Sequence, residues 1–202
     1  MERRVTTRDL TIIAIFGAIW GALEMTLGSY LHVIFPPVAT PLVGTGTIMT
    51  GIGMILALMG YLFVPRTGTV LMIGVVTAIL KALSIGGVKL SPMLAIIIEC
   101  LLAEVGLLLA RKPSRWGFAL AGGLALLWTF FHKFFGSYVF LGKGIAEVYL
   151  KILKRGAQAL GVDISLAFVI IGVFLLIRIA VGVAAGWLAW ELGRAVRGRL
   201  AR

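Results

Sequence analysis

Apolar residues fall in long blocks, and polar or proline-bearing stretches between them are short. The blocks predict helices over about Asp9–Tyr30, Pro41–Val64, Gly68–Ile85, Ser91–Ala110, Arg115–Phe140 and Ile164–Leu192. Each is near the roughly 20 apolar residues that cross a bilayer. The breaks carry helix-stopping chemistry: Pro36-Pro37, Pro65-Arg66, Gly86-Gly87 and Arg111-Lys112-Pro113. Ser91-Pro92 suits a helix start, with Ser as cap and Pro in the first turn. One segment differs. Between Ile145 and Leu160 the apolar residues Ile145, Val148, Tyr149, Ile152, Leu153 and Leu160 follow helical spacing, and Glu147, Lys151, Lys154, Arg155 and Gln158 fill the other face. It is too polar to span, so it lies on the membrane surface or covers the bundle as a lid.

Composition sharpens this picture. Of 202 residues 60% are hydrophobic and 13% are charged, and the mean hydropathy is +1.08. A soluble domain carries roughly 25% charge. The fold class is therefore an all-α membrane protein, a six-transmembrane-helix bundle forming one integral membrane domain over residues 1–202. No length remains for a soluble catalytic or nucleotide-binding domain. The first apolar run, Leu10 to Leu31, is too long for a signal-peptide core and reads as an uncleaved helix. The one cysteine, Cys100, excludes an intrachain disulfide and reads as a core residue.

The net charge of +11 would suggest nucleic acid in a soluble chain. Here the basic residues mark orientation instead, and no nucleic-acid partner is expected. With six spans, eleven of them (Arg3, Arg4, Arg8, Arg66, Arg111, Lys112, Arg115, Arg194, Arg197, Arg199, Arg202) share one side. Five (Lys89, Lys143, Lys151, Lys154, Arg155) take the other, and Lys81, Lys133 and Arg178 lie within spans. The bias places both termini in the cytoplasm.

Ionisable groups inside spans are costly and mark functional candidates. At about 1.5 Å per residue they form two levels. Glu24, Lys81, Glu99, His132 and Lys133 share the outer half, where a pocket can open outward. Glu104 and Arg178 share a deeper level, where they can pair. Structural ion pairs and snorkelling lysines are the alternative reading. On helix 1, Ala14, Ala18 and Ala22 form a small-residue stripe, and Trp20 and Glu24 form a second stripe about 200° away. Trp20 and Glu24 then look into the bundle, while the alanines look out and let a partner helix approach. Helix 5 is aromatic-rich, with Trp128, Phe131 or His132, and Phe135 on one face. Part of this is an interfacial belt, and the rest can stack on a planar ring, with Trp20 opposite.

These features together resemble the substrate-binding S component of energy-coupling factor (ECF) vitamin transporters. The likeness covers the whole chain, in its length, six helices, cytoplasmic termini and helix 1 alanines. In that family an A-x-x-x-A motif on helix 1 contacts a transmembrane coupling subunit, and Ala14, Ala18 and Ala22 match it. The stretch PMLAIIIECLLAEVGLLLAR (92–111) also looks similar to helix 4 of members that take thiamine or its hydroxymethylpyrimidine precursor. The resemblance implies a non-enzymatic subunit in a prokaryotic plasma membrane, surrounded by membrane lipid. It would bind a micronutrient near its outer face and topple in the membrane when coupled to two ATPases. No G-x-x-x-x-G-K-[ST] motif occurs, in keeping with an external energy source.

The ligand stays open at this stage. Glu24 and Glu99 suit an aminopyrimidine or cationic ring. Lys81 and Lys133 suit a carboxylate. Glu24, His32, Glu99 and His132 are metal-ligand types, but no H-x-x-H or E-x-x-H pair exists, and Met1-Glu2-Arg3 lacks the N-terminal histidine of the cobalt and nickel ECF members. No cofactor and no bound structural metal are expected. His32 reads rather as an interfacial loop residue. Competing classes are a stand-alone secondary transporter or channel, which inverted repeats would support, a transition-metal uptake subunit, an intramembrane enzyme and a scaffold. Cys100 beside Glu99 makes no catalytic pair, since adjacent side chains point about 100° apart on a helix.

Overall fold

The computed structural model describes residues 5–34, 44–83, 90–141 and 144–200. The Pro36-Pro37 connection, the Gly86-Gly87 stop and Lys89 lie outside these residues, as do the side chains of His32 and Lys133. The elements are α1 (Thr7–Ile34), α2 (Thr45–Phe63), α3 (Thr69–Ala82), α4 (Leu90–Leu109), α5 (Arg115–Leu141), α6 (Ile145–Leu160), a 3-10 turn (Ile164–Leu166) and α7 (Ala167–Leu200). No strand occurs among the described residues.

Local chemistry sets several of these ends. A reciprocal capping box opens α1: the Thr6 amide donates to Asp9 Oδ2 at 3.0 Å, and the Asp9 amide donates to Thr6 Oγ1 at 3.2 Å. The amphipathic segment forms α6 with the limits its spacing predicts. Gly161, at φ 66°, closes it in the left-handed conformation, and its amide bonds the Ala157 carbonyl. The last helix runs on past Leu192 to Leu200, because its arginine-rich end contains no proline.

Among the described residues, four helical stretches are long and apolar enough to cross a membrane: Thr7–Gly28, Thr45–Phe63, Leu90–Leu109 and Ile164–Arg199. The expected third span is shorter than the sequence pattern suggests. α3 has 14 residues, about 21 Å, against a hydrocarbon core of about 30 Å.

Interhelical contacts fix the directions. Gly17 and Gly21 of α1 pack on Val76 and Leu80 of α3, so these two run parallel. Gly74 of α3 meets Cys100 of α4, and Gly106 of α4 meets Ala121 of α5. With Val70 against Glu104 and Ser91 against His132, both of these pairs are antiparallel. Gly122 of α5 lies on Gly182 of α7 so closely that a Cβ at Gly122 would collide with the Gly182 carbonyl. α2 runs beside α7, with Gly51 on Val181 and Leu62 on Gly193, and opposite to α1, with Gly53 on Trp20 and Gly60 on Phe16. α1 to α5 and α7 therefore alternate in direction. Arg8 near the start of α1 and Val196 near the end of α7 line one groove, so both ends of the described chain share one end of the bundle.

The main apolar core joins α1 to α5 and α7 around Trp20, Met54, Leu58, Ile73, Cys100, Phe118 and Leu126. Cys100 is fully buried there, as a small core residue. A second cluster sets Leu153 and Ala157 of α6 on Phe130, Ile170 and Phe174. Gly156 lets α6 approach Ile170 and Phe174 closely.

Candidate solute-binding site

Two faces of α1 are distinct. Ala14, Ala18 and Ala22 are exposed, whereas Trp20 and Glu24 are buried. Trp20 is wholly enclosed in the core, its indole against Gly53, and its Nε1 has no hydrogen-bond partner. It sits one turn deeper than Glu24 rather than facing an aromatic of α5 across open space.

Glu24 and Lys81 meet at the distal ends of α1 and α3. Lys81 Nζ donates to Glu24 Oε2 at 3.0 Å and to the Glu24 carbonyl at 2.9 Å. Both side chains are mostly buried, so the pair is only partly screened by solvent. α2 borders it: a Cβ at Gly28 would lie 3.7 Å from Glu24 Oε2, 3.8 Å from Lys81 Nζ and 3.9 Å from Met49 Cγ. The next residue of α2, Thr50, donates its hydroxyl to Glu99 Oε1 of α4 at 3.1 Å. Glu99 is 3% exposed. Four helices thus bring two carboxylates, one ammonium and one hydroxyl to one level.

The α4–α5 side carries the ring systems. Ser91 Oγ lies 3.2 Å from His132 Nε2. The Trp128 ring centroid is 6.5 Å from that of His132 and 6.0 Å from that of Phe135. The α4–α5 register puts Trp128 level with Ala95–Glu99. Its buried Nε1 has no hydrogen-bond partner, and buried donors without partners are rare enough to require a reason.

The deeper pair expected from depth alone does not form. Glu104 Oε1 instead accepts from the amides of Val70 at 2.7 Å and Leu71 at 3.3 Å. α3 starts at Gly68, which has no side chain to cap with, so the carboxylate of α4 satisfies the buried first turn. Arg178 lies on α7, and α4 and α7 are separated by α2 and α5. Nor do the two share a level: Glu104 sits at the first turn of α3, whereas Arg178 is level with the first turn of α2, and α2 and α3 start at opposite ends of the bundle. Arg178 Nη1 donates to the Phe174 carbonyl at 2.9 Å.

Thr50 and Ser91 are site residues that spacing did not single out. Hydroxyl partners of a carboxylate or imidazole leave no periodic mark. Among the described residues no three His, Cys, Asp or Glu come together as a metal site. The groove beside Arg8 and Val196, about 550 Å³, lies at the opposite end and is lined mainly by apolar side chains. It offers one cation and no solute-binding constellation.

A family model described as "ABC-type cobalt transport system, permease component" matches residues 8–128. The match spans Ala14, Ala18, Ala22, Trp20, Glu24, Lys81, Glu99 and Trp128 and stops before His132, α6 and α7. That description names cobalt, and it gives no support to the thiamine-type likeness of residues 92–111. No curated protein and no solved structure matches the chain.

Proposed function

From the chain's place in the family of ABC-type cobalt transport permease components, to which it belongs, we propose that it is the substrate-binding subunit of an ECF-type importer. The family is one of membrane transport subunits, not enzymes, and an ABC-type permease works with ATPase components. In this proposal α1–α5 and α7 span the plasma membrane of a prokaryote with both termini inside. The site between Glu24, Lys81, Glu99 and Trp128 faces outward, and α6 lies over its rim. Ala14, Ala18 and Ala22 meet a transmembrane coupling subunit that two ATPases drive.

The solute is an organic micronutrient with a ring and hydrogen-bond donors, of the kind of thiamine or its pyrimidine precursor. One observation carries this reading: Glu99 is buried with a single hydroxyl donor, level with Trp128. A carboxylate accepts up to about four hydrogen bonds, so Glu99 has unused capacity for donors on a ring. Glu24 is neutralised by Lys81 and stands as the second wall. The second reading, a cobalt or related cation as cargo, is favoured by the family description. The donor set suits it poorly, because one carboxylate is already paired with a lysine and the imidazole of His132 sits against Ser91.

Mass spectrometry of solutes released from the denatured, purified chain tests the proposal, with elemental analysis of the same sample. One organic solute per chain is the expected result. Stoichiometric cobalt with no organic solute would replace the first reading by the second.

A further inference from the structure

We propose that Arg178 of α7 holds the anionic group, a phosphate or carboxylate, of the solute that enters this bundle. The inference deepens the reading of the residues around Glu99 as a solute site and rests on it. Arg178 is 1% exposed. Beyond its one bond to the Phe174 carbonyl, its guanidinium carbon lies 5.6 Å from the Phe130 ring and 5.7 Å from the Phe174 ring, and Nε has no partner. No carboxylate among the described residues pairs with it. Glu104 caps α3, Glu24 holds Lys81, Glu99 accepts from Thr50, and Glu191 pairs with Arg115.

A guanidinium cannot shed its charge in a protein. Buried without a counter-ion, it is a standing cost, and within a span it marks function. Its planar fork of donors matches oxyanions. The neighbouring helix adds a second attraction. α2 and α7 run parallel, and their register puts the Phe174–Arg178 turn level with the first turn of α2, Gly44–Ile48. Gly44 brings no side-chain cap to that turn, and a Cβ at Gly46 would meet nothing within 4 Å. The Gly46 amide and the positive end of the helix dipole there favour an anion. Thr50, which donates to Glu99, lies about 6 Å further along α2. A solute bridging both positions carries an anionic group and, about one helical turn away, a ring with hydrogen-bond donors or positive charge.

The test is thermal unfolding of the purified full chain in phosphatidylcholine nanodiscs, titrated with inorganic phosphate and with acetate. The wild-type midpoint should rise saturably with at least one of them. Arg178→Met should weaken that dissociation constant about 10- to 100-fold, the loss of a charge-assisted hydrogen bond, and Arg178→Lys should keep part of the response. Without anion, Arg178→Met should unfold at or above the wild-type midpoint, since an uncompensated charge is gone. Three results would overturn the assignment: no response to either anion in the wild type, a lowered anion-free midpoint for Arg178→Met with an unchanged anion response, or a response produced only by phosphatidylglycerol in the nanodisc, which assigns Arg178 to lipid headgroups. Glu99→Gln separates this proposal from the one beneath it. That variant should keep the phosphate or acetate response while losing the organic solute. If it keeps both, Glu99 is no part of the solute site and the reading beneath fails, while the phosphate or acetate response reports on Arg178 alone.

Discussion

Replacing Glu104 tests how α3 is held inside the bundle. The carboxylate accepts from two buried amides, at 2.7 Å and 3.3 Å. A hydrogen bond to a charged group contributes about 1.5–3 kcal/mol, and a negative charge at a helix N-terminus adds about 0.3–1 kcal/mol. The longer bond counts for little. Glu104→Ala should therefore cost about 3 kcal/mol and leave the Val70 and Leu71 amides unsatisfied. Glu104→Gln keeps an acceptor oxygen and loses the charge, so about 1 kcal/mol is expected. For a chain of this size, 3 kcal/mol corresponds to a fall of roughly 6–12 °C in unfolding midpoint. Hydrogen exchange should quicken first in the opening turn of α3, while Glu104→Gln should bind solute like the wild type. Unchanged exchange at residues 69–72 in Glu104→Ala, with an unshifted midpoint, would refute the capping argument. Loss of solute by Glu104→Gln would move this residue from architecture into the site.

Other predictions follow from the same contacts. Ala18→Trp should abolish solute uptake into cells while solute binding by the purified chain stays within about twofold, because Ala18 is exposed and away from Glu24. Lys81→Met leaves the Glu24 carboxylate mostly buried beside a methyl group, so a loss of about 2–4 kcal/mol is expected, read as the unfolding midpoint. Gly53→Ala drives a methyl group into the enclosed Trp20 indole, and a cost of about 1–3 kcal/mol should appear with a shift in tryptophan emission.

The order of helices and the amphipathic α6 were legible from hydrophobic spacing, because that spacing is set by backbone geometry and not by neighbours. The inward turn of Trp20 and Glu24 and the outward turn of the alanines were legible for the same reason. The start of α3 was legible from the Pro65-Arg66 break, but what holds it was not, since the carboxylate that accepts from its first amides comes from Glu104 on another helix, 34 residues away. Depth counted along each predicted span put Glu104 and Arg178 on one level, but how the helices are offset and which of them are neighbours is a matter of tertiary packing. The glycine contacts that set α5 and α2 against α7 carry no periodic signal. Thr50 as a partner of Glu99 was hidden for the same reason.

Native mass spectrometry of the chain purified without any partner, comparing the wild type with Glu99→Gln and Ala18→Trp, tests the central claim most directly. The account predicts one organic solute per chain in the wild type and in Ala18→Trp, and an empty Glu99→Gln. An equally loaded Glu99→Gln, or a wild type that carries only cobalt, would contradict it.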